Sequence, residues 1–216
     1  MGPMAALKGV VLALDTTGAS TEVGWWQGGR VGVQEAAGQG RDEALWQLIE
    51  RCLADAGQPV GLVAVSAGPG SYTGTRIGLA AAEGLSMGWA VPRLAVPTFA
   101  AWAEGVAVPG PLLVGRGDGR GMVIWQSFAG SERARRPSSE LGRGEPRAVV
   151  EEASRLGAHL VVADWPGEVP ADCPLSPAPG VLAVASWAWR HRGDLKDAPF
   201  APIYLRPAAR PDTSPA

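Results

Sequence analysis

The residues able to do chemistry in this chain gather around glycine. Gly68-Pro-Gly-Ser-Tyr-Thr-Gly74 forms a loop between the apolar run Leu62–Ser66 and a helical pattern. Glycine lets backbone approach a ligand closely, Ser71 and Thr73 offer hydroxyls that can cap a helix, and free N–H groups at a helix start attract anions. The loop is not a Walker A element, since no lysine follows it. It also departs from G-x-G-x-x-G, with Thr73 where the third glycine belongs. Gly70 and Ser71 therefore keep two readings, a helix-capping turn and a phosphate cradle.

Asp15-Thr-Thr-Gly18 closes the apolar run Val10–Leu14. In that position Asp15 would stand near a Mg²⁺–nucleotide and the Thr16 and Thr17 hydroxyls near phosphate. An Asx turn leading into the next strand uses the same residues. A nucleotide site needs a second, opposed loop, and Asp118-Gly-Arg120 is the candidate.

A serine hydrolase is tested by Ala64-Val-Ser66-Ala-Gly68, close to the G-x-S-x-G elbow, with Asp164 or Asp172 and then His191 in the required order. The elbow starts its helix directly after the serine, whereas here a glycine loop intervenes. Ser66 then reads as a small residue at a strand end. A protein metal site has no ligand spacing to support it, because His159, His191, Cys52 and Cys173 are isolated from one another.

The elements that must position these groups alternate between strand and helix. Val10–Leu14, Thr21–Gln27 and Val31–Ala36 read as strands, the last two joined by a hairpin at Gln27-Gly-Gly-Arg30. Leu45, Leu48, Ile49, Cys52, Leu53 and Ala56 fall on one face of a helix over 42–56, which Gly57 stops. The strand Leu62–Ser66, a helix over 75–87, the strand Arg93–Val96 and a helix capped by Thr98 follow. Pro109-Gly-Pro111 suggests a boundary. Beyond it, strands at Leu112–Val114, Met122–Phe128 and His159–Ala163 and helices at 148–156 and 181–191 repeat the order loosely. Ser131–Arg147 reads as a mobile arginine-rich loop whose Arg133-Ala-Arg-Arg136 cluster is best assigned to solvent rather than phosphate.

Composition bounds the function. The chain has 216 residues, 46% hydrophobic and 19% charged, with a formal net charge of −2. A packed α/β protein is expected, and no global positive field exists to hold nucleic acid. The Val10–Leu14 run is too short for a membrane span or a secretory h-region, so a soluble cytoplasmic protein is expected.

The helix over 75–87 carries two rows of small residues, Gly74/Gly78/Ala82 and Ala80/Gly84/Gly88, and Trp46 lies beside the apolar stripe of the preceding helix. Interior glycine costs roughly 1 kcal/mol relative to alanine, so a close neighbour is expected to compensate. Packing on the chain's own sheet and docking of a partner are both open.

Leu12-Ala-Leu-Asp-Thr-Thr17, the amphipathic helix 42–56, the block Ser66-Ala-Gly-Pro-Gly-Ser-Tyr-Thr-Gly-Thr-Arg-Ile-Gly78 and Val96-Pro-Thr98 occur in order. Together they resemble the bacterial TsaB (YeaZ) family of the threonylcarbamoyladenosine tRNA-modification pathway. The resemblance covers about residues 10–105 and thins to Asp118-Gly-Arg120 and Pro202-Ile-Tyr-Leu-Arg206 beyond. It implies an α/β, actin/Hsp70-like (ASKHA) fold of two RNase H-like lobes. The expected arrangement is 1–107 with a mixed five-stranded sheet, a reduced lobe over 108–206 and a flexible tail over 207–216. It further implies a noncatalytic subunit that pairs with TsaD and recruits TsaE, with ATP and Mg²⁺ at those partners, no tightly bound cofactor of its own, and tRNA contacted through the complex. A homodimer in isolation is also expected. The TsaD-facing surface is assigned to Trp46, Glu50, Gly78, Ala82, Glu83 and Gly84, and a vestigial nucleotide site to Asp15, Thr16, Thr17, Gly70 and Ser71. TsaD-type metal binding needs an H-x-x-x-H pair on the first helix, which holds no histidine; Arg41 takes the position of a histidine common in relatives. The alternative from another class is an active ASKHA kinase or ATPase using Asp15 and the 68–74 loop.

Overall fold

The computed structural model describes residues 8–38, 43–131, 134–194 and 199–205. Arg41 and Asp42, Arg133, and the segment 206–216 lie outside these. Strands β1 (Val10–Asp15), β2 (Ser20–Gln27) and β3 (Arg30–Ala37) form a meander, followed by helix α1 (Leu45–Ala56). Then come β4 (Val60–Ser66), α2 (Tyr72–Trp89), β5 (Arg93–Val96) and α3 (Thr98–Gly105). The five strands make one mixed sheet ordered β3-β2-β1-β4-β5, antiparallel on the β2 side and parallel on the β4 side.

The second sheet repeats this plan. It is built from β6 (Leu112–Gly117), β7 (Val123–Ala129), β8 (Arg136–Pro137), β9 (Gly142–Gly144), β10 (His159–Ala163) and β11 (Leu175–Pro177). The order is β11-β10-β6-β7-β8, with β9 also on β7. Helix α4 (Pro146–Leu156) separates β9 from β10, and α5 (Gly180–Arg190) follows β11. Nothing helical stands between β10 and β11, where the first sheet has α2.

Strand periodicity sorts the core into layers. In β1, Val10, Leu12 and Leu14 face one way, against Leu45, Leu48, Ile49 and Cys52 of α1 and Leu79 and Ala82 of α2. Val11 and Ala13 face the other way, into a cluster of Phe99 and Trp102 from α3, Val181, Val184 and Ala188 from α5, and Leu112, Val114 and Val161 from the second sheet. Burial on both faces explains the unbroken apolar run of β1. The far face of the second sheet, with Leu113 and Leu160, is covered by Val149, Val150 and Ala153 of α4. Helices α3 and α5 thus sit between the two sheets, and α5 packs mainly on the first.

Helix ends follow ordinary stereochemistry in most places. Gly57 and Gly157 end α1 and α4 in the left-handed region, and Pro146 occupies the first turn of α4. Thr98 does not cap α3: its hydroxyl is buried without a hydrogen-bond partner, and Pro97 holds the cap position.

The segment 131–147 is not simply a polar loop. It contributes β8 and β9, and Arg135, 2% exposed, lies underneath. The Arg135 guanidinium donates to the carbonyls of Ala103 and Val106 at 2.8 Å each, and also to that of Val108. These carbonyls belong to the unsatisfied end of α3 and the connection after it. Within the predicted arginine cluster, then, Arg135 anchors the chain internally while Arg136 stays exposed.

Candidate functional site

A cleft of about 700 Å³ opens where the ends of β1 and β6 meet. Gly70, Ser71, Tyr72 and Thr73 line one wall, and Gly117, Asp118, Gly119 and Arg120 line the other, with Thr17 and Asp164 at its base. The two loops singled out by sequence therefore do oppose each other.

The glycine loop is stitched to the turn after β1. Ser71 N–H donates to Thr17 O at 2.8 Å, and the Thr16 hydroxyl donates to Gly74 O at 2.6 Å. Ser71 also caps α2, its hydroxyl accepting from Gly74 N–H at 3.2 Å. A Cβ on Gly74 or Gly78 would overlap Thr16, so glycine is what lets α2 lie this close to β1. The C-terminal segment reinforces the contact: Ile203 N–H donates to Ala67 O at 2.7 Å, and Tyr204 stacks on Tyr72 with ring centroids 5.1 Å apart.

Asp15 is buried and its carboxylate is already engaged. Its Oδ1 accepts from Thr17 N–H at 2.9 Å and from the Thr17 hydroxyl at 2.6 Å, the Asx turn that the sequence permits. Its Oδ2 lies 3.9 Å from an Arg116 nitrogen. Arg116, from β6, also donates to the Thr17 hydroxyl and stacks 4.4 Å over the Trp102 ring. Asp118 holds the opposing turn. Its Oδ1 accepts from the N–H groups of Arg120 at 2.7 Å and Met122 at 3.1 Å, and its Oδ2 pairs with Arg143. Desolvation raises the Asp118 pKa, but the bonds from Arg120, Arg143 and Met122 outweigh it and leave the carboxyl below the ordinary range.

The residues assigned to a partner surface divide in two. Trp46 is 54% exposed, Glu50 is exposed, and the space around Gly84 is open. Gly78 and Ala82, by contrast, are buried against the chain's own sheet and are not on that surface. Glu83 is half-buried and pairs with Arg93 at 2.8 Å. The compensation for glycine in α2 is internal for the Gly74/Gly78 row only.

No hydrolase triad is assembled. Ser66 Oγ is buried without a hydrogen-bond partner, Asp164 accepts from Ala19 N–H at 3.2 Å, and His191 stacks on Trp187 and faces Glu104 at 3.4 Å. Among the described residues no group of three His, Cys, Asp or Glu side chains is placed to hold a metal ion. His159 faces Ser176 at 2.8 Å, and burial pushes the Cys52 thiol up to about 11, which keeps it protonated. No described helix is long and apolar enough to cross a membrane.

Sequence reasoning missed Arg116 and Glu22. Arg116 was legible as a lone charge ending the apolar strand that starts at Leu112. Glu22 Oε2 accepts from Val181 N–H at 2.9 Å and so caps α5 from the first sheet, a contact spanning 159 residues that no local pattern announces.

The cleft and the doubled sheet have relatives. A family model described as "TsaD: tRNA N6-adenosine threonylcarbamoyltransferase" matches residues 33–134. The tRNA threonylcarbamoyladenosine biosynthesis protein TsaB of Escherichia coli K12 is 30% identical over 99 residues, 44% of this chain and 43% of that protein. The TsaB of Haemophilus influenzae is 31% identical over 98 residues, 44% of this chain and 42% of that protein. The aligned stretch thus spans less than half the length of these curated relatives. YeaZ from Pseudomonas aeruginosa superposes with a TM-score of 0.67 at 22% identity, over 91% of this chain and 99% of that one. The chain is similar to TsaB over less than half its length and shares the fold of YeaZ. Its fold is that of YeaZ, with the five-stranded mixed sheet expected for the first half. The block Ser66–Gly78 lies on the β4–α2 junction, at the rim of the cleft.

Proposed function

We propose that this chain is a TsaB-type protein and serves the threonylcarbamoyladenosine modification of tRNA as a noncatalytic cytoplasmic subunit. It pairs with a TsaD homologue through the outer face of α1 and α2, supports recruitment of a TsaE homologue, and leaves ATP, Mg²⁺ and the transfer reaction to those partners. The chain divides near residue 107, the first part carrying the docking helices. The observation that carries this reading is the exposed face bearing Trp46, Glu50 and Gly84, together with an Asp15 carboxylate that is buried and already engaged. Buried aromatic anchors dominate protein interfaces, and a half-exposed Trp46 beside open small residues suits one. Reconstitution with TsaD, TsaE and a threonylcarbamoyl-AMP synthase is expected to modify tRNA only when this chain is added. Modification at the same rate without it overturns the reading.

The second reading is an ASKHA kinase or ATPase, favoured by a roomy cleft between two opposed glycine loops. It predicts Mg·ATP turnover by the isolated chain at about 1 s⁻¹ or more, ordinary for enzymes. Turnover abolished by Asp15→Asn would establish it in place of the first.

A further inference from the structure

Arg116 is 5% exposed, yet it bears a permanent charge and touches four separate parts of the chain. It stands on β6. Its guanidinium donates to Thr17 Oγ1 in the turn after β1, lies 3.9 Å from Asp15 Oδ2 on β1, and lies 3.5 Å from Asp164 Oδ2 after β10. Its flat face covers Trp102 of α3. A smaller cavity of about 220 Å³ behind it is bounded by Asp15, Glu22, Trp102 and Asp164. A buried cation with this much contact is expensive to desolvate and is retained only where carboxylates compensate it.

The nucleotide reading of Asp15 requires a divalent ion close to its carboxylate, at about 2.0–2.6 Å. The residues present do not fit that ion. One carboxylate oxygen is held by the Thr17 amide and hydroxyl, and the other faces a guanidinium that would repel a dication. We propose that Arg116 is the resident cation beside Asp15: it takes the place a divalent metal would need there, and it ties the second sheet to the first. The positive charge beside Asp15 is supplied by β6. This proposal rests on the fold and the cleft alone, so its failure leaves the partner-subunit reading standing.

Mn²⁺ binding and thermal unfolding test it on the full chain. Wild type is expected to show no Mn²⁺ binding that Asp15→Asn removes. Arg116→Ala is expected to melt roughly 5–10 °C lower. Millimolar guanidinium chloride should recover part of that loss, whereas equal NaCl or urea should not. The same variant should gain Mn²⁺ binding that the double variant Asp15→Asn/Arg116→Ala lacks. A purely structural arginine would lower the melting temperature without creating a metal site or responding to free guanidinium. If Arg116→Ala yields no folded protein, Arg116→Lys replaces it, expected to fold, to melt lower than wild type and still to exclude Mn²⁺. Mn²⁺ binding by wild type that depends on Asp15 overturns the proposal. So does a folded Arg116→Ala that melts like wild type, gains no metal site or ignores guanidinium, or an Arg116→Lys that binds Mn²⁺ through Asp15.

Discussion

The two sheets share a strand order, and they differ in what stands at the matching strand ends. In the first, β1 ends in Asp15 and the β4–β5 crossover is the 18-residue helix α2. In the second, β6 carries Arg116 near its end and the β10–β11 connection has no helix. The outer strands β8 and β9 are two and three residues long, against eight for β3. Topology therefore decides where a cleft forms, at the ends of the two central strands, while side chains decide its charge. An acid near the end of one central strand and a base near the end of the other face each other across the join at 3.9 Å. The first half is held by glycine-mediated contact of helix on strand, and the second by arginines reaching for carbonyls and carboxylates.

That contrast can be broken from either side. Gly78→Leu pushes a side chain into the buried side chains of Thr16 and Val65 and is expected to cost about 4 kcal/mol or more, read as loss of the cooperative melt. Arg135→Ala leaves several buried carbonyls unpaired at the end of α3 and is expected to cost about 3 kcal/mol by urea unfolding. Glu22→Gln acts on the seam between the halves. Burial, with repulsion from Asp15 and Glu35, raises the Glu22 pKa in the folded chain despite the bond from Val181. The folded state then binds more protons than the unfolded state, so stability falls as pH rises from the unfolded value toward the folded one. The glutamine variant keeps an acceptor for Val181 and is expected to melt higher than wild type at neutral pH, the gap closing below about pH 4. Gly84→Leu has the smallest effect on folding, within about 0.5 kcal/mol, because the site is open. It is nonetheless expected to abolish co-elution with TsaD, and unchanged co-elution would move the docking face elsewhere.

Much of this plan was legible in residue order. The double-faced apolar run of β1, the Gly57 stop and the His159–Ala163 strand are local signals, and the structure follows them. The opposed loops were legible too, since each is a glycine turn after a strand. What could not be read is long in sequence separation. Which small-residue row of α2 faces inward depends on Thr16, 62 residues before Gly78. Arg135 was assigned to solvent because arginines among serines and prolines usually belong there, and its partners lie 25 to 32 residues earlier. β11, three residues with two prolines' worth of turn chemistry around it, has too little periodicity to announce a strand.

The position of α5 bears on how the chain is made. This helix covers the inner side of β1 and β2, yet it comes at 180–190, long after those strands. At about 5–20 residues per second, a ribosome needs roughly 4–17 s to go from the end of α3 to the end of α5. Throughout that interval Val11, Ala13, Leu62 and Leu94 await the helix that will shield them, and the nascent first half is a natural client for a chaperone.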